Sequence, residues 1–289
     1  MTYRIAHISD LHLSLKNGKD RDQRLIDLLE DIKKRNCDHI AITGDIADNP
    51  MPEDLIYARE IFAQFDLMNP ELLSLVPGNH DIYGSAPPGE MMFMFPKICS
   101  EINIDEMEKQ FINIYKETFT DEAEFPYVKL IGNIALIGIN SLIKWSVDLN
   151  PEGSNGGIDE IGFEKLNKLL KSKKLNDKVK IVLIHHHFSK PDDVAELPGH
   201  SLWIDAVGYK MNFHEQGEIL KLLKKRGVNL VLHGHTHYTG VYVKKGITFV
   251  NSSACSIPLT DDRLRKYNII SIPGNGDDSK QIGIETIQI

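Results

Sequence analysis

The chain has 289 residues, of which 42% are hydrophobic and 26% charged, close to soluble globular averages, which excludes wholesale disorder. No run of 18 apolar residues occurs, so no membrane span is expected, and there is enough chain for one large α/β domain or two smaller ones. Lys and Arg number 33 against 41 Asp and Glu, a net charge of −8, which disfavours duplex DNA as a partner because that affinity rests on phosphate neutralisation. The opening Met1 to His7 runs straight into an apolar stretch without a small-residue cleavage site. It reads as a first strand and not a signal peptide. Cys37, Cys99 and Cys255 form an odd set with no C-x-x-C spacing, so a cytoplasmic location is expected.

In chain order, Tyr3 to Ser9 reads as a strand, and Arg21 to Lys34 carries Leu25, Ile26, Leu28, Leu29 and Ile32 at helical spacing. His39 to Thr43 is a second strand, Glu53 to Phe65 a helix behind Pro52, and Glu71 to Val76 a third strand closed by Pro77-Gly78. Strands alternating with helices imply a largely parallel core sheet. Residues 84–125 read as an insertion with a loop and at least one helix near the active site; its Met91-Met92-Phe93-Met94-Phe95 cluster is expected to plug the core. Gly132-Asn133 joins Tyr127 to Ile131 and Ile134 to Ile139 as a hairpin. Helix 160–173 and strand Lys180 to Ile184 follow, then a polar loop, 189–213, expected on the substrate side. Helix 214–226 and strand Val228 to Leu232 precede residues 240–289, expected to be mainly β and to complete a second sheet. No repeat or linker divides the chain, so a single domain over 1–289 is preferred.

The chemistry-bearing residues share one location, just after a strand: Asp10 and His12, Asp45, Asn79 and His80, His185 to His187, and His233, His235 and His237. Open α/β sheets gather ligands at the carboxyl ends of their strands. Imidazole and carboxylate gathered there suit zinc, iron, manganese or nickel better than calcium or magnesium. Gly44, Gly78 and Gly234 stand beside these groups as residues tolerant of positive φ. Plainer readings apply to the neighbours. His7 and His39 look like ordinary strand histidines, His233 is expected to pack inside, and Asp48 is expected to close a turn. Asp81 is a candidate to orient His80, and His200, Trp203 and His214 are candidate substrate contacts.

Taken together, Asp10-Leu11-His12, Gly44-Asp45-Ile46-Ala47-Asp48, Gly78-Asn79-His80-Asp81, His185 after Ile181 to Ile184, and Gly234-His235-Thr236-His237 resemble the calcineurin-like metallophosphoesterase family. The five blocks occur in order over residues 10–237. The opening His7-Ile8-Ser9-Asp10-Leu11-His12 and the stretch Val250-Asn251-Ser252-Ser253 are similar to the bacterial branch that contains class III cyclic-nucleotide phosphodiesterases.

The resemblance implies an α/β, four-layer α-β-β-α sandwich with two mixed sheets and a metal site at the carboxyl ends of the strands. It implies two divalent or mixed-valence transition-metal ions, from Mn, Fe, Zn or Ni. Asp10, His12, Asp45 and His237 would hold the first; Asp45, Asn79, His185 and His235 the second, with Asp45 bridging. Many relatives have His-His-Pro-Pro where this chain has His185-His186-His187-Phe188, so His186 stays open as ligand or supporting residue. His80 would be the catalytic acid beside the metals. The implied activity is a phosphodiesterase acting on a small phosphate ester, such as a cyclic nucleotide, through a metal-bridging hydroxide. A phosphomonoesterase, a nuclease and a non-catalytic protein-binding scaffold are the alternatives, and the oligomeric state stays open, a dimer included.

Overall fold

The structure is a computed structural model that describes residues 2–16, 19–87, 89–120, 123–188, 211–253, 265–274 and 281–289. Apolar runs buried on both faces form its parallel strands: β1 (Tyr3–Ile8), β2 (His39–Thr43) and β3 (Leu73–Val76) pair in parallel. Helices α1 (Lys19–Lys34) and α2 (Pro52–Gln64) connect them, burying Leu25, Leu28, Leu29 and Ile32, and Leu55, Ala58, Ile61 and Phe62. A short helix the sequence did not announce, α3 (Asn79–Ile82), starts directly after Gly78.

The second sheet contains β4 (Tyr127–Ile131), β5 (Ile134–Gly138), β6 (Val179–Leu183), β7 (Leu230–His233), β8 (Gly240–Lys244) and β9 (Ile247–Asn251) in the order β4-β5-β6-β7-β9-β8. Side-chain alternation divides it between two cores. Ile134, Leu136, Ile181, Leu183, Leu230 and Leu232 face the first sheet. Ala135, Ile137, Val182, Ile184 and Val231 face helices α6 (Glu160–Leu170) and α7 (Gln216–Lys225). The result is the four-layer α-β-β-α sandwich with two mixed sheets. Among the described residues no helix is long and apolar enough to cross a membrane.

Two expectations are corrected. The C-terminal strands do not all join the second sheet. β8 and β9 do, but β10 (Lys266–Ile272) pairs antiparallel with β1, and β11 (Gly283–Gln288) pairs with β10. β2 covers only one side of β1, and β10 pairs the edge left free. Nor does the Met/Phe cluster plug the core. A 3₁₀ turn, Gly89–Met94, leaves Met91 to Met94 49–79% exposed. Only Phe95, opening α4 (Phe95–Glu101), turns inward, onto Ile82, Tyr83, Cys99, Ile104 and Leu142. Helix α5 (Ile104–Ile114) follows and buries Phe111.

Candidate metal centre

The turns after β1 and β2 are laced together. Asp10 N–H donates to the Gly44 carbonyl (3.0 Å), His12 N–H to that of Asp45 (2.9 Å), and Asp48 N–H to that of Leu13 (2.9 Å). From the second sheet, His235 N–H donates to the Asp10 carboxylate at 3.0 Å and Gly234 N–H to the His185 carbonyl at 3.0 Å. Glycines permit the close approaches: a Cβ on Gly78 would lie 2.2 Å from Asp45 Oδ1, and one on Gly234 would lie 2.4 Å from Asp10 Oδ2.

These turns bring together Asp10, His12, Asp45 and His237, each with one ligand atom within 4.8 Å of the others, and likewise Asp45, His185 and His235. Asn79 joins the second group, its Oδ1 lying 3.0 Å from His185 Nε2. His185 Nε2 also lies 3.1 Å from His235 Nδ1 and 3.3 Å from Asp45 Oδ2, while His12 Nε2 lies 3.1 Å from His237 Nε2. Facing imidazole nitrogens beside two buried carboxylates, whose described charged partners are all imidazoles, form the N/O donor set that divalent transition ions take. The residues fit such ions.

Electrostatics keeps the two carboxylates ionised and divides the imidazoles, His235 held neutral and His185 held protonated by Asp45 in the absence of a bound cation. Burial works against charge on Asp45, yet His185, His80 and His12 hold it well below the usual carboxylate range. Burial likewise opposes Asp10, and its hydrogen-bonded His237 outweighs that, lowering its pKa. Burial pushes His235 and His186 well below the ordinary imidazole value, with neighbouring imidazoles adding to the effect. For His185, burial is outweighed by Asp45, and the ring is raised to about 9.

His80 stands beside the first group, its ring centroid 4.5 Å from that of His12. Its backbone N–H donates to Asp45 Oδ1 (2.8 Å), and Nδ1 lies 3.1 Å from the Asp48 carbonyl and 3.7 Å from the Asp48 carboxylate. Asp48, read from sequence as a turn residue, also lies 3.5 Å from His12 Nδ1; its signal was the second aspartate of Gly-Asp-x-x-Asp. Asp81 does not orient His80. Its two oxygens accept from Ala47 N–H and Gly78 N–H, both at 2.8 Å, pinning two site turns together. Burial, then Asp45, raises its pKa to about 7.

His185 falls in the Asp45 group, whereas His186 turns the other way, Nδ1 to Ser141 Oγ at 2.8 Å. His7 and His39 are buried and hydrogen-bonded to Thr43 and Ser74, and His233 to Tyr242. His214 Nε2 donates to the Leu149 carbonyl at 2.7 Å. His200 and Trp203 lie outside the described residues.

A family model described as calcineurin-like phosphoesterase matches residues 3–239. The chain belongs to the calcineurin-like phosphoesterases. As a member it is a phosphoric ester hydrolase, of a family that works with divalent metal ions. An uncharacterized protein of Acanthamoeba polyphaga mimivirus is 25% identical over 261 residues, 84% of this chain and 88% of that protein. The phosphoesterase fold recurs in a dimetal phosphatase from Danio rerio (TM-score 0.60, 13% identity, 99% of this chain and 98% of that one). It recurs again in GAP50, the anchor in the inner membrane complex of Plasmodium (TM-score 0.51, 14% identity, 100% and 84%).

Proposed function

We propose that the protein is a phosphodiesterase acting on a small substrate such as a cyclic nucleotide, with two divalent transition ions. Asp10, His12, Asp45 and His237 would hold one ion, and Asp45, Asn79, His185 and His235 the other. The observation that carries the reading is the sharing of Asp45 between two groups of converging donors. When bound, such ions supply Lewis acidity to the phosphoryl oxygens and lower the pKa of a coordinated water. The chain's own residues do the rest. Asp45 fixes the His80 backbone, and the Asp48 carbonyl accepts a hydrogen bond from His80 Nδ1–H, leaving Nε2 for the leaving group. Burial lowers the proton affinity of His80, and the Asp45 and Asp48 carboxylates oppose this. A proton on Nε2 passes to the departing alkoxide.

The diester reading comes from the resemblance of residues 7–12 and 250–253 to the branch that contains class III cyclic-nucleotide phosphodiesterases. There Ser252 N–H donates to the His233 carbonyl (3.0 Å) and its hydroxyl to the His7 carbonyl (3.2 Å), tying both stretches to the turn that carries His235 and His237. We read the chain as one domain in which the segment 84–125 shapes access to the metals; most of the loop 189–213 expected on the substrate side, residues 189–210, lies outside the described residues. A cytoplasmic location belongs to the same proposal, with Cys37 and Cys99 as free thiols.

The test is a turnover comparison of the Mn-, Fe- or Zn-loaded protein on 3′,5′- and 2′,3′-cyclic nucleotides, an aryl diester and the matching aryl monoester. The diesters should be preferred at least about tenfold in kcat/KM, a transition-state difference of about 1.4 kcal/mol. A monoester preference would replace this reading with the phosphomonoesterase alternative.

A further inference from the structure

Consecutive histidines at the end of β6 point to opposite sides. His185 enters the Asp45 group, and His186 enters a wall formed by the segment after β5 and the residues before α7. Its ring lies against bare backbone at Gly156, where a Cβ would sit 2.3 Å from His186 Cγ. The Phe213 ring lies near-parallel to it (22°, centroids 6.3 Å), and Gly156 N–H donates to the Asn212 carbonyl at 2.8 Å. On its other side stands His235, with ring centroids 4.6 Å apart.

Two atoms in this arrangement are unexplained. His186 Nε2 and His235 Nε2 are both buried, and neither has a hydrogen-bond partner. His235 presents Nδ1 to His185 Nε2, so Nε2 is the nitrogen turned away from the ligand group. A neutral imidazole that gives its Nδ1 lone pair to a cation carries its proton on Nε2, and that N–H calls for an acceptor. His186 can be that acceptor when its own proton sits on Nδ1, against Ser141 Oγ. With the ring centroids 4.6 Å apart, the two nitrogens sit on adjoining rings, within the span of a direct or water-bridged hydrogen bond.

We propose that His186 is a positioning residue that fixes the rotation of His235 and thereby sets how tightly the second divalent ion is held, with Ser141 fixing His186 in turn. The proposal rests on Asp45, Asn79, His185 and His235 being that ion's ligands. The first ion, on Asp10, His12, Asp45 and His237, serves as an internal control.

The experiment titrates full-length apo-protein with Mn²⁺, following free Mn²⁺ by electron paramagnetic resonance and checking each variant's fold by circular dichroism. His186→Leu, which fills the space without an acceptor, should weaken the second ion about 10–100-fold and leave the first near wild type. His186→Gln, whose side-chain oxygen can reach the position of Nε2, should recover most of that loss. Ser141→Ala, which keeps the imidazole but removes the oxygen that holds its Nδ1, should show a smaller loss at the second ion and decides the matter if the Leu variant does not fold. Unchanged second-ion affinity in the folded variants overturns the positioning role, as does equal weakening of both ions. Wild-type protein that binds fewer than two ions overturns the ligand reading itself, and the positioning role with it.

Discussion

Asp10, His12, Asp45, His235 and His237 hold left-handed backbone, with φ of 55°, 47°, 51°, 75° and 54°. Such a conformation costs a non-glycine residue about 1–3 kcal/mol and persists only where its surroundings over-determine it. Here the hydrogen bonds between turns and the missing Cβ atoms of Gly78 and Gly234 do so. A Cβ at position 78 would also lie 2.3 Å from the Asp45 backbone nitrogen, so Gly78→Ala is expected to move the whole Asp45 turn. Metal content by elemental analysis should fall below one ion per chain together with a lowered melting temperature, and retention of two ions would show that the cradle is dispensable. His80 gives a second prediction at this scale. A ribose or alkyl leaving group needs a proton, and an aryl leaving group needs little help. His80→Ala should lower turnover on the alkyl ester by about 10²–10⁴ and on the aryl ester far less, with both ions retained. Asp48→Asn keeps the backbone carbonyl at His80 Nδ1 but removes a charge that faces both His80 and His12, so it should repeat the pattern more weakly and also loosen the first ion. Equal losses on the two esters would assign His80 to holding phosphate instead.

The edge of the first sheet is closed by the second. β3 is an edge strand, and the side chains of Tyr127 and Lys129, two residues apart on β4, donate to its Leu75 (3.0 Å) and Leu73 carbonyls. Tyr127→Phe leaves the Leu75 carbonyl buried and unpaired, an expected cost of about 1–3 kcal/mol in urea unfolding. Lys129 is 2% exposed, and burial lowers its amine from 10.5 to about 7. Between those values the unfolded chain holds a proton that the native chain has released, so stability rises with pH, by at most about 1.4 kcal/mol per unit. Relative to Lys129→Met, the wild type should therefore gain stability from pH 7 to pH 10, and a flat difference would mean an ordinary lysine. None of this capping was legible in the sequence, because a lysine in a strand reads as solvent-facing. The strands and α1, α2, α6 and α7 were legible, since their apolar periodicity is forced by the cores they face. So were the seven polar groups brought together at the strand ends, because their five blocks, in order, resemble the calcineurin-like metallophosphoesterase pattern. Asp48 and Asp81 were misread because proximity in sequence suggested Asp81 for His80. The fold instead spends Asp81 on backbone N–H groups. Ser141 and Gly156 carry no local signal at all, as their meaning comes from the ring packed against them.

At the scale of the whole molecule, the candidate ligands come from both sheets. Asp10, His12, Asp45 and Asn79 follow β1, β2 and β3, while His185, His235 and His237 follow β6 and β7. Ions bound among them would join the sheets at one end of the sandwich, whereas Tyr127 and Lys129 join them through direct hydrogen bonds. Each ion that binds only the native state adds RT ln(1 + [M]/Kd), about 2.7 kcal/mol at a hundredfold excess over Kd. Chelation should therefore lower the melting temperature, and restoring Mn²⁺ or Zn²⁺ should return it. The effect should also be local. Without the ions, the left-handed turns keep their backbone cost while the imidazole nitrogens and carboxylates lose their common partner. Amide hydrogen exchange should then quicken at Asp10, His12, Leu13, Ala47, Asp48, Gly234 and His235, whose N–H groups bond across the turns, and stay slow in β4 and β5. Exchange that rises equally along the chain would mean that the ions stabilise the fold only in bulk. Exchange unchanged by chelation would mean that the two sheets are held at this end without them.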